Sequence, residues 1–174
     1  MAVALALGVQ GCGAYGAGVR ELAFADGWLP LPLGRWLLND GIQPKALVIC
    51  PRERCAAMSV VAMFEAEGRM ALALERSLAD DTLLTQRKTR LVTRTIGGKY
   101  VKKPDAAATT RIERFSMDGM AATRVALVPS GGTGNRAHAV VLTRRFGATL
   151  KAVLAVTTDP DLALQQARLA AKDW

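Results

Sequence analysis

Two-residue breaks between alternating runs constrain this chain most. Asp118-Gly119 separates residues 111–116 (RIERFS) from residues 121–128 (AATRVALV). An Asp-Gly pair tolerates positive φ at both centres of a tight turn, so flanking alternation reads as a hairpin. Phe146-Gly147 stands in the same relation to residues 138–145 (HAVVLTRR) and 148–157 (ATLKAVLAVT). Together these runs predict a four-strand meander. Consecutive hairpins build an antiparallel sheet.

The first half adds a hairpin and a helix. Residues 46–50 (ALVIC) form a short apolar run, 51–54 a turn, and 57–65 (AMSVVAMFE) a second strand. Gly68 opens the next element. Met70, Leu74 and Leu78 recur every four residues, which predicts a helix over 69–79 with its methionine filling the core. Near the end, Asp159 offers an N-cap and Pro160 a first helical residue, predicting a helix over 161–172 with Leu162 and Leu169 on one side. Residues 20–43 are rich in Trp, Leu, Pro and Gly. Pro30 and Pro32 exclude a regular helix there, so a short strand over 21–24 precedes an irregular stretch that packs Trp28 and Trp36. The order is strand, hairpin, helix, basic stretch, meander, helix. That is an α+β class, an antiparallel β-sheet with helices packed on it.

This order, the early Gly27-Trp28-Leu29-Pro30 segment and the Asp118-Gly119 hairpin feeding strands and a terminal helix resemble the Mog1/PsbP-like fold, a sheet between helices. The resemblance covers about residues 21–174. It implies an accessory or binding protein, since relatives include bacterial envelope lipoproteins and extrinsic photosystem subunits. The fold hosts unrelated roles, so no functional residue is carried over.

A chain of 174 residues fits one domain. Hydrophobic residues make up 51% but aromatics only 5%, so the core must be built from Ala, Val, Leu and Met. Net charge is +8 with a pI near 9.9. A positive field attracts an anionic membrane surface, nucleic acid or an acidic protein face. An Arg-rich composition equally reads as plain surface solvation.

The N-terminus reads as an export signal. Residues 1–11 (MAVALALGVQG) carry no charged side chain, and the apolar run is too short to span a bilayer. Val9-Gln10-Gly11-Cys12 resembles a bacterial lipobox, although the charged n-region is missing and Gln10 is an unusual occupant. The resemblance implies that Cys12 carries lipid, with residues 1–11 as a signal remnant, 12–19 as a Gly-rich tether and 20–174 as the domain. Cys50 and Cys55 then remain as a pair. Four residues between them can close a short loop as a disulfide in an oxidising compartment. A redox pair would more typically be Cys-x-x-Cys, and zinc would need two more ligands, with the only histidine, His138, distant in sequence. Two core thiols remain the alternative in a cytosolic protein.

The most unusual stretch is 87–114. It holds Arg87, Lys88, Arg90, Arg94, Lys99, Lys102, Lys103, Arg111 and Arg114 against Asp105 and Glu113. With Gly97-Gly98 and Pro104 it reads as a flexible loop. Such a loop suits anionic headgroups or a polyanion; otherwise it is a solvated connection between helix and sheet. Residues 130–135 (SGGTGN) lack the Lys-Ser/Thr ending of a P-loop and sit between strands, so they read as a hairpin loop. His138 has no evident partner for acid–base chemistry. Asp80-Asp81 reads as a helix end. No pattern calls for a cofactor or metal.

Three readings follow: an envelope-associated, periplasm-facing accessory lipoprotein without catalytic activity; a cytosolic basic protein associating with nucleic acid or another polyanion; and an unrecognised enzyme. Nucleic acid is disfavoured, because the basic stretch offers only Tyr100 for stacking.

Overall fold

The structure, a computed structural model, describes residues 27–31, 44–80, 91–96, 99–104, 108–129, 136–172 and 174. Its strands are β1 (Leu29–Pro30), β2 (Pro44–Cys50), β3 (Ser59–Glu67), β4 (Leu91–Ile96), β5 (Lys99–Pro104), β6 (Ala108–Met117), β7 (Met120–Pro129), β8 (Ala137–Phe146) and β9 (Thr149–Thr157). Helix α1 (Gly68–Ala79) follows β3, and α2 (Pro160–Ala170) follows β9. The class is α+β. Seven strands form one antiparallel sheet in the order β1-β2-β3-β9-β8-β7-β6. The chain leaves the middle of that sheet after β3, returns at the far edge as β6, and walks back until β9 closes against β3.

The meander is built on its turns. Met117 pairs with Met120 across Asp118 at φ 51° and Gly119 at φ 71°. Positive φ at both centres matches the right-handed twist of the flanking strands. Phe146 pairs with Thr149 around Gly147 at φ 59°.

Both faces of the sheet are buried in its middle. Val48, Val61, Met63, Val140, Leu142, Val153 and Ala155 join α2's alanines in one cluster. Leu47, Ala62, Phe64, Ala66, Leu150 and Ala152 join Ala71 and Leu74 of α1 in the other. Register explains the split: Val48 opposes Val61, which opposes Ala155, while Leu47 opposes Ala62. Strands covered on both sides need apolar residues at consecutive positions, hence the unbroken runs in β2 and β3.

The helix faces differ from those expected. On α1 the buried residues are Ala71 and Leu74, with Leu78 half-buried, while Met70 is 48% exposed. The i, i+3, i+7 line faces the sheet, and Met70 lies about one residue's rotation off it. On α2 the buried face is Ala163, Gln166, Ala167 and Ala170, whereas Leu162 is half-buried and Leu169 exposed. Alanines let the helix axis approach the sheet closely, and leucines on that line would hold it away. The start of α2 forms as expected: the Asp159 side chain accepts from the N–H groups of Asp161 and Leu162 at 2.9 and 3.1 Å, with Pro160 first in the helix.

The basic stretch is not simply a loop. β4 and β5 form their own antiparallel ribbon, from Leu91 opposite Pro104 to Ile96 opposite Lys99. Gly97-Gly98 between two six-residue runs is a hairpin signal that the density of cations obscured. Trp28 packs into the α2-side core as expected. The expected strand over 21–24, Trp36, residues 81–90 and the 130–135 loop lie outside the described residues.

Candidate functional site

The cysteine turn is the first feature built from sequence neighbours. Cys50 ends β2 on the buried side, fully shielded from solvent. The N–H groups of Arg54 and Cys55 both donate to the Pro51 carbonyl, at 3.1 and 3.0 Å, which folds the chain back. Cys50 and Cys55 thereby stand at disulfide-bonding distance, with Cα atoms 5.9 Å apart. Gly27 is seated against this turn at φ 104°. A Cβ on it would lie 3.1 Å from the Cys50 Sγ and 3.1 Å from the Arg54 Cβ.

A second cluster was not anticipated as one. Register aligns Ser59, Thr157 and His138 in a row across β3, β9 and β8. Gln166 of α2 caps the row, its amide donating to the Ser59 hydroxyl at 3.1 Å. Ser59, Thr157 and Gln166 are buried. The Thr157 Oγ1, the Gln166 Oε1 and the His138 Nδ1 are buried without a hydrogen-bond partner among the described residues. The four side chains come from four elements, so sequence spacing holds no trace of the cluster.

A shallow groove of about 640 Å³ runs between α2 and the end of the β6–β7 hairpin. Its walls mix apolar Met120, Leu164 and Leu169 with Arg144, Arg168 and Lys172. Asp118 organises the cations: Arg168 sits 3.1 Å from its carboxylate, and the Arg144 guanidinium donates to its carbonyl. Phe146 lies nearby in the sheet, 42% exposed, with Lys151 5.4 Å and Arg144 6.0 Å from its ring centre. Cations over an aromatic face are held by its quadrupole.

The residues singled out from sequence divide into groups. Arg87, Lys88 and Arg90, and Cys12 with its flanks, lie outside the described residues. Arg94 is on β4, and Lys99, Lys102 and Lys103 on β5. Strand alternation and register put positions 94, 99 and 103 on one face of the ribbon and 102 on the other. Arg111 and Arg114 belong to β6 instead. His138 joins the polar row rather than any acid–base pair. Among the described residues, no group of three or more His, Cys, Asp or Glu is placed to hold a metal, and no helix is long and apolar enough to cross a membrane.

The fold and these clusters define an α+β domain with a cysteine turn anchored at buried Cys50 and a separate basic ribbon. The chain matches no family model, and a search of curated proteins returns no match.

Proposed function

We propose that this chain is an exported accessory or binding domain, held to a membrane through lipid on Cys12. In this reading residues 12–19 tether the domain and the basic ribbon faces an anionic surface, either headgroups or an acidic protein. The observation that carries it is the cysteine turn. Cys50 and Cys55 approach to 5.9 Å between Cα atoms in a tight loop, an arrangement that suits an oxidising compartment. The apolar run before Cys12 and the Gly-rich segment after it support the same reading. A sheet carrying a helix on each face also supports a Mog1/PsbP-like fold, a family of mostly accessory proteins.

The test is cell fractionation of the native host with mass spectrometry of the mature N-terminus. Export predicts a chain beginning at Cys12 with an acyl mass addition, found in membranes. Replacement of Cys12 by Ser should remove both the mass and the membrane association. A chain retaining Met1 in the soluble fraction, with free thiols at Cys50 and Cys55, would instead support a cytosolic polyanion-associated protein, the reading favoured by the net charge of +8.

A further inference from the structure

β6 is one edge of the seven-stranded sheet. All ten of its residues pair inward with β7. Among the described residues nothing pairs with its outer side, since β4 and β5 form a sheet of their own. The other edge, β1, is two residues long. A long edge is a template for another strand, and natural proteins usually blunt it with scattered charge.

Among two-fold self-pairings centred within residues 111–114, the charges on β6 favour one. Arg111 and Glu113 are two residues apart, so they share the α2 face of the sheet with Phe115. Ile112 and Arg114 share the other face. Self-pairing about a two-fold axis normal to the sheet opposes residues of one face, so the axis must pass through a residue position. Centred on Arg111, Glu113 or Arg114, it would set a charge against its own copy. Centred on Ile112, it sets Arg111 against Glu113 of the second copy and Glu113 against Arg111. Thr110 then faces Arg114, Thr109 faces Phe115, and Ile112 meets itself.

The neighbouring strand extends this match. Glu113 already sits 3.5 Å from Arg124, its direct partner on β7. In the Ile112-centred register a row of Arg124, Glu113 and Arg111 of the second copy runs across three strands, and symmetry repeats it. Arg111 is exposed and opposes only Ala126 within its own chain. In that register Glu113 of a second copy is the carboxylate it would face.

We propose that β6 pairs with β6 of a second copy of this chain in the register centred on Ile112, joining two sheets into one. This surface is separate from the export reading and stands without it. Opposite charges directly across a strand pair favour it and like charges oppose it.

The test is sedimentation of the full chain over a range of protein concentrations at low and high salt. The parent should dimerise, more weakly as salt rises. Arg111→Glu sets carboxylates against each other twice. Glu113→Arg does the same with cations. Each should weaken self-association roughly tenfold or more. Mixed together, the two variants should form a heterodimer stronger than either alone, because Glu at 111 then faces Arg at 113. Arg52→Glu, an equal charge change in the cysteine turn, should have no effect; thermal melts check that every variant folds. A parent that stays monomeric at all concentrations overturns the proposal. So does a dimer indifferent to both reversals, or a mixture no stronger than its components.

Discussion

Glu75 on α1 and Arg145 on β8, 70 residues apart in sequence, are joined by two parallel hydrogen bonds of 2.9 and 2.6 Å. This bidentate pair ties the crossover helix to the meander, two parts of the chain connected only through a long excursion. The hydrogen bonds from Arg145 hold the Glu75 carboxyl below its ordinary value of 4.5. They outweigh partial burial, which pushes it up, and the guanidinium charge acts with them.

A depressed carboxyl stabilises the fold above its unfolded value and loses that share as pH falls through the lower folded value. Chemical denaturation followed from pH 6 down to about pH 3 should therefore show a decline that is shallower in Glu75→Gln. Equal slopes for the two proteins would show that the pair does not support the fold. Both side chains are about one-third exposed, so added salt should weaken the effect.

Gly27→Ala should destabilise the protein by about 1–3 kcal/mol. Its φ of 104° is a conformation L residues rarely adopt, and the new methyl would press on the Cys50 Sγ and the Arg54 Cβ. Urea denaturation reads the loss. An unchanged midpoint would mean that the cysteine turn shifts freely.

Thr157→Val carries the opposite sign. The hydroxyl it removes is buried without a hydrogen-bond partner among the described residues, and valine has nearly the same shape. Stability should hold or rise by up to about 1 kcal/mol. A loss larger than that would show that the Thr157 hydroxyl is bonded within the row it shares with Ser59 and His138.

Asp159→Ala should cost about 1 kcal/mol, because two N–H groups at the start of α2 lose their acceptor. Asp159→Asn, which keeps an oxygen there, should lose less. Thermal melting distinguishes them.

Replacing Lys99, Lys102 and Lys103 together by Gln should weaken binding to anionic vesicles roughly tenfold or more, at about 1 kcal/mol per cation near the surface. The parent's binding should fall steeply with salt. Register refines the expectation: if one face of the ribbon meets the surface, Lys99→Gln and Lys103→Gln act together while Lys102→Gln acts differently. Vesicle co-sedimentation that finds the triple variant equal to the parent would remove the ribbon as a contact surface.

What local chemistry decides is legible in the sequence itself. The Asp118-Gly119 turn needs only two residues that accept positive φ, and the meander follows from it. The cap at Asp159 needs only an oxygen within one turn. The Cys50–Cys55 approach needs a turn short enough to close. The β4–β5 ribbon is equally local, since Gly97-Gly98 between two six-residue runs is a hairpin signal, but the density of cations in the same stretch reads as a solvated loop. Three things came only from tertiary structure. The crossover that places β9 between β3 and β8 joins distant segments, and no local preference selects it. The helix lines that turn inward were chosen by closeness of approach, so α2 buried its alanines and left Leu169 outside. The polar row of Ser59, Thr157, His138 and Gln166, and the outward edge carrying Arg111 and Glu113, exist because strand register sets separate residues side by side. Sequence specifies short-range geometry through φ preferences and hydrogen-bond reach. Which faces meet is decided by the packing of the whole sheet, where burial on both sides outweighs any single residue's preference.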